Sequence, residues 1–160
     1  MRVLSIDPGY ERLGIAIIEK TNTPKDTLLY SDCFRTDTQD SFKDRLLQIG
    51  LEIERLIETY SPNVIAIEQL FFNTNQKTAL SVTEVIGVIT YIAKKENLLI
   101  FEYTPLQIKS AVSGYGKSTK EQVAKMIPHL IEIRKEIALD DEYDAIAVGL
   151  TCLASERLIF

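Results

Sequence analysis

Two apolar runs in this sequence end on an acid. The first closes as Ile6-Asp7-Pro8-Gly9 and the second as Ile65-Ala66-Ile67-Glu68. A third acidic group, Asp140-Asp141-Glu142-Tyr143-Asp144-Ala145, opens a helical stretch near the end of the chain. There Asp141 and Asp144 stand at i and i+3 and share a face, and Asp144 continues onto Ala147, Val148 and Thr151. Each acid also has an ordinary reading. D-P-G starts turns, Glu68 fits the capped end of a strand, and acids in a first helical turn suit caps and the macrodipole. What sets them apart is that three separate elements can bring them together. If the two strands are parallel neighbours, Asp7 and Glu68 emerge at the carboxyl end of the sheet, where open α/β sheets place ligands. Four carboxylates without histidine or cysteine form an oxygen-only site, suited to Mg²⁺ or Mn²⁺ and not to zinc. Without metal they would repel one another. Two ions about 4 Å apart would fit hydrolysis of a phosphodiester.

The elements that must position them can be read from periodicity. Arg2–Asp7, Leu13–Lys20 and Thr27–Arg35 read as consecutive antiparallel strands. Ser41–Tyr60 repeats apolar residues at helical spacing and ends at Ser61-Pro62. Val64–Glu68 reads as a buried strand and Leu98–Glu102 as a last one. Helices are expected over Thr78–Lys95, Thr104–Val112, Thr119–Leu130 and Asp141–Arg157, with a Gly114-Tyr115-Gly116 turn between the second and third of these. The order β-β-β-α-β-α-β-α-α-α predicts an α/β fold: a five-stranded mixed sheet with helices on both faces, in a single domain over residues 1–160. Thr78–Lys95 is apolar on more than one side, which calls for a second packing partner.

Composition excludes several classes. Of 160 residues, 46% are hydrophobic and 26% charged, an ordinary globular balance. No uninterrupted run of apolar residues and glycine is longer than Leu13–Ile18, far short of the ~20 needed for a membrane span. Asp7 comes too early for a signal peptide. Cys33 and Cys152 are far apart and without partner histidines, which argues against a zinc site and for two buried thiols in a reducing compartment. The single His129 makes histidine catalysis unattractive.

At this point the residues resemble a known family. Ile6-Asp7-Pro8-Gly9, Ala66-Ile67-Glu68-Gln69-Leu70-Phe71, Phe101-Glu102-Tyr103 and Asp141-Glu142-Tyr143-Asp144-Ala145-Ile146-Ala147 look like the RuvC Holliday junction resolvases, collinearly from about Arg2 to Ser155. D-P-G alone is weak, whereas E-Q-x-F and D-x-x-D-A at this spacing are specific. The resemblance implies an RNase H-like fold and a cytoplasmic homodimer. Such a dimer cuts two strands of a four-way DNA junction symmetrically and leaves ligatable nicks. It implies Asp7, Glu68, Asp141 and Asp144 as catalytic metal ligands for two Mg²⁺ ions, replaceable by Mn²⁺, with Asp141 chosen over Asp140 by the D-x-x-D spacing. It implies Phe71 as the aromatic that stacks on a base near the junction centre, with Phe72 and the uncharged residues 73–76 around it. For both phenylalanines ordinary core packing is the competing reading. Lys109 and Lys120 match two basic residues flanking the G-x-G turn, and Lys117 adds a third; solvated helix faces would also account for these lysines. The helix over Thr78–Lys95 would pack against its twofold mate, with Gly87 allowing close approach. The RuvA and RuvB branch-migration proteins are implied partners. One departure stands out. After D-P-G the family usually has serine-arginine and then threonine-glycine, where this chain reads Tyr10-Glu11-Arg12-Leu13-Gly14.

Rival readings are a catalytically inactive junction-binding or assembly protein, a related nuclease on ribosomal RNA precursors, and an actin-like kinase. The first sits badly with carboxylates at all four ligand positions. The second should lack E-Q-x-F, and the third needs two such domains. A net charge of −5 taken alone argues against nucleic acid, but its distribution matters. Residues 94–135 carry eight basic and four acidic side chains, while four of the acids elsewhere belong to the proposed metal site.

Overall fold

The structure is a computed structural model that describes residues 1–69 and 76–156, and of residues 76–78 only the backbone. Among the described residues the elements are β1 (Arg2–Asp7), β2 (Arg12–Glu19), β3 (Asp26–Arg35), α1 (Phe42–Tyr60), β4 (Val64–Glu68), α2 (Gln76–Lys95), β5 (Leu99–Tyr103), α3 (Pro105–Ser113), α4 (Lys120–Leu130), β6 (Ile131–Glu132) and α5 (Asp140–Ser155). The strands form one sheet in the order β5-β4-β1-β2-β3-β6. β1, β2 and β3 pair antiparallel, while β4, β5 and β6 join in parallel. The mixed sheet is as expected, but it has six strands rather than five. The extra one, Ile131–Glu132, is only two residues long and pairs with Asp26 and Thr27. Two residues are too few to carry an alternation signal.

Strand alternation sorts the sheet's side chains into two cores. Leu4, Ile6, Ile65 and Ile67 face α1 and α2, where Ile49, Ile53, Val85 and Ile89 complete one cluster. Val3, Val64 and Ala66 face the other way, against α5 and its neighbours α3 and α4. The alternation puts Asp7 and Glu68 on this second face, in step with Val3 and Ala66. α5 lies flat on it. Gly149 permits that approach, since a Cβ there would stand 2.6 Å from Ile18 Cδ1 and 2.7 Å from Ser5 Oγ.

Local signals set the helix starts. Ser41 accepts from the Asp44 backbone N–H at the start of α1. Thr104 and Thr119 each form a reciprocal capping box, with Gln107 and Gln122. α3 ends on Gly114 at φ 75°, a left-handed position that glycine adopts without strain. α5 is the exception, because its N-cap Leu139 makes no side-chain cap bond. No helix among the described residues is long and apolar enough to cross a membrane.

Candidate active site

Register brings the first two acids together. Ile6 stands opposite Ile67 in the parallel β1–β4 pair, so the next residues, Asp7 and Glu68, leave the sheet side by side at its carboxyl edge. Asp7 is also paired with Gly14 across β2. A Cβ on Gly14 would lie 2.3 Å from the Asp141 carbonyl oxygen and 3.1 Å from Asp7 Cβ. The start of α5 therefore rests directly on β2, beside Asp7. A cleft of about 240 Å³ opens there, lined by Asp7, Glu68, Asp144, Lys109 and Lys120 together with Pro105, Ile108, Val123 and Ala147. A larger cleft of about 550 Å³, lined by Glu54, Glu58, Lys95 and Glu96 among others, holds none of the converging acids.

The electrostatics of the site are those of crowded anions. Asp7 is pushed up to about 7, first by burial, then by the charges of Glu68, Asp144 and Asp141, with Lys120 opposing. Glu68 is also raised, by burial and by Asp144, against Lys120 and Lys109. Burial would lower the Lys120 ammonium, but the hydrogen bond to Asp144 and the charges of Asp144, Asp7 and Glu68 raise it instead. Lys120 donates to Asp144 Oδ2 across 2.5 Å. It occupies the first position of α4, where the helix dipole disfavours a cation, so its place there is set by the acids and not by helix formation.

Asp141 is held differently. Arg12 donates to its Oδ2 and, at 3.0 Å, to Asp140 Oδ1. The Cys33 thiol donates to the same Asp141 oxygen across 3.5 Å. Between Asp141 and Asp144, Glu142 turns the other way into the protein. It accepts from Ser31 Oγ at 2.7 Å and Lys135 Nζ at 2.5 Å.

The structure thus gathers Asp7, Glu68 and Asp144 with Lys109 and Lys120, and places Asp141 at the rim beside Gly14. Lys117 lies exposed in the α3–α4 turn, apart from the cleft lining. Phe71 and Phe72 lie outside the described residues. Among the described residues no three acidic, histidine or cysteine side chains already close on one point as a metal cage. Like charges separate, and Arg12 and Lys120 take up two of the four carboxylates. The donor set nonetheless fits a hard divalent cation. It offers oxygen donors, and its most buried member is held far above the usual carboxylate range by burial and then by the neighbouring carboxylates, charge that a divalent cation would offset.

Two contributors escaped the sequence reading. Arg12 reads as part of the segment after D-P-G, ahead of the strand expected from Leu13, with nothing to mark its partner; the structure makes it the first residue of β2. Glu142 reads as one of the helix-start acids, because a helix beginning at Asp141 would take Asp140 as its cap; the structure starts the helix at Asp140 behind Leu139, and nothing in the sequence marks the bonds from Ser31 and Lys135 that hold Glu142.

Comparison with known proteins bears on the family and the fold. The profile of the family described as crossover junction endodeoxyribonuclease RuvC matches residues 3–152. A protein of that description from Petrotoga mobilis is 42% identical over 149 residues, covering 93% of this chain and 91% of the relative. One from Caldicellulosiruptor saccharolyticus is 41% identical, covering 99% and 96%. Among solved structures, T. thermophilus RuvC in complex with Holliday junction substrate superposes with a TM-score of 0.90 at 27% identity, covering 96% of this chain and 93% of that one. The yeast mitochondrial resolvase Ydc2, at 17% identity and TM-score 0.71, shares the fold.

Proposed function

The chain belongs to the RuvC family of crossover junction endodeoxyribonucleases, and from that membership we propose how its residues carry the reaction. It is a DNA-cleaving hydrolase of RNase H-like fold that resolves four-way junctions, from a family of metal-dependent nucleases. The observation that supports the site assignment best is the convergence of Asp7, Glu68 and Asp144 in one cleft with two lysines. In this reading Asp7, Glu68, Asp141 and Asp144 hold two Mg²⁺ ions, with Mn²⁺ as a substitute. Bound there, such ions supply an acidified water and neutralise charge on the phosphodiester. The protein's own groups do the rest. Lys120 and Lys109 line the cleft and meet the phosphate, and Lys117 extends the basic rim along the flanking duplex. Phe71 stacks on an unpaired base at the junction centre, with Phe72 beside it. Carboxylates at all four acidic positions speak against an inactive junction binder.

The same reading makes the protein a cytoplasmic homodimer built on one nuclease domain, residues 1–160, and a partner of RuvA and RuvB. α2 supports the dimer. Val85, Ile89 and Ile92 are buried in the cluster that covers the sheet, yet Leu80 and Tyr91 on the same helix are 65% and 71% exposed. Tyr91, Val88, Leu47 and Leu51 line a shallow apolar groove between α1 and α2. Gly87 has open space before it, as a close helix crossing requires. A twofold dimer puts two active sites on one junction.

The test is cleavage of a synthetic four-way junction with Mg²⁺ or Mn²⁺. Paired nicked duplexes are expected. Asp7→Asn abolishes cutting and leaves junction binding, and Phe71→Ala reduces cutting more than duplex binding. Intact junctions under every divalent metal would overturn the assignment.

A further inference from the structure

Arg12 lies where the chain departs from the family's usual sequence after D-P-G, and the surrounding fold fixes it in place. A Cβ on Gly9 would stand 2.1 Å from the Arg12 carbonyl oxygen, so the turn is closed tightly on Arg12. Arg45, only 6% exposed, clamps the same turn from beneath. Its Nε donates to Thr36 Oγ1 at 2.8 Å, its guanidinium stacks 4.9 Å from the Tyr10 ring centroid, and Thr36 Oγ1 donates to the Tyr10 carbonyl at 2.6 Å. On the other side, Gly14 lets Asp141 sit against β2. A rigid turn thus aims a guanidinium at the outermost of the proposed metal ligands, and its partners there are Asp141 and Asp140.

We propose that Arg12 is a built-in competitor for the metal site: it occupies the Asp141 carboxylate in the metal-free protein and must give it up for a divalent ion to bind there. Arg12 is therefore a positioning residue. It keeps Asp141 oriented at the rim while Asp7 and Glu68 stand without an ion-pair partner of their own among the described residues, and it raises the metal concentration needed to load the site. Asp140, adjacent and 73% exposed on its side chain, gives the released guanidinium a carboxylate to stay on. Lys120 on Asp144 is the matching contact at the inner end of the cleft. The inference rests on the assignment of Asp141 as a metal ligand.

The experiment is calorimetric Mn²⁺ binding to the DNA-free protein. Arg12→Gln is expected to bind Mn²⁺ about fivefold more tightly than wild type, the scale of one partly exposed ion pair. The gain should vanish when both proteins carry Asp141→Asn. Arg12→Met is a second variant, should Arg12→Gln not fold, and is expected to show the same gain. Unchanged or weaker Mn²⁺ binding in a folded Arg12 variant overturns the proposal while leaving the metal site standing. Wild-type protein that binds no Mn²⁺, or binds it equally after Asp7→Asn, overturns the metal-site reading and the proposal with it.

Discussion

Lys135 donates to the Glu142 carboxylate across 2.5 Å, and that carboxylate's side chain is only 5% exposed. The pair stands between the two acids that α5 delivers to the cleft, at the start of a helix with no side-chain cap. Ser31 of β3 shares the same carboxylate. The first turn of α5 is thus pinned to the sheet by Glu142, and the orientation of Asp141 and Asp144 depends on it.

Lys135→Met leaves Glu142 buried with Ser31 as its remaining side-chain donor and is expected to destabilise the protein by about 1–3 kcal/mol. The effect depends on pH. Burial alone would raise Glu142, but Lys135 and Ser31 hold it below its ordinary value of 4.5. A depressed carboxyl stabilises the fold above its unfolded pKa, and that contribution is lost as pH falls through the folded value. The deficit of Lys135→Met should therefore be full at pH 7 and shrink in acid. Denaturant melts at several pH values check this, and a deficit that grows in acid would contradict it.

Asp7 has the opposite sign. Its value of about 7 lies above the ordinary 3.8, so its contribution is fully present below pH 3.8 and lost as pH rises through about 7. Asp7→Asn mimics the protonated form. Without metal, it is expected to be more stable than wild type by about 1–3 kcal/mol at pH 8, with the gap closing toward pH 4. Thermal melts in chelator measure it. An Asn variant no more stable at pH 8 would mean the carboxylates are not crowded as described.

Gly14→Ala places a methyl group 2.3 Å from the Asp141 carbonyl oxygen. β2 and α5 must separate to admit it. The expected result is a loss of about 1–3 kcal/mol in stability and at least a roughly tenfold loss of junction cleavage at saturating metal, read from melts and gel assays on one preparation.

Tyr91 is 71% exposed on the outer side of α2. Tyr91→Glu is expected to turn a dimer into a monomer in sedimentation. The monomer should lose paired nicking of junctions, since the residue packs on no core of its own chain. A Tyr91→Glu protein that sediments as a dimer would place the interface elsewhere.

The sequence made most of this legible because burial writes itself into pattern. Strands β1 and β4 were readable as apolar runs, and the acids closing them marked the sheet edge that the register then joined. Asp144 was readable because it sits in step with Ala147 and Thr151. What escaped is contact between distant residues that obey no period. β6 is two residues long, beside a helix that contains Pro128. Arg45, a charged residue next to the apolar stripe of α1, is buried under the Tyr10 turn. Arg12 finds Asp141 across 129 positions of sequence. Glu142 followed the rule for helix-start acids while serving a different purpose.

In the proposed function Asp7, Glu68, Asp141 and Asp144 form one metal-dependent cutting site for junction DNA. The most direct measurement is cleavage of a synthetic four-way junction by wild type and by the four single Asn or Gln variants, with junction binding followed in parallel. Wild type is expected to give symmetric, ligatable nicks only when Mg²⁺ or Mn²⁺ is present, and all four variants to lose cutting while retaining binding. Cutting that persists in chelator, or that survives Asp7→Asn, would contradict it.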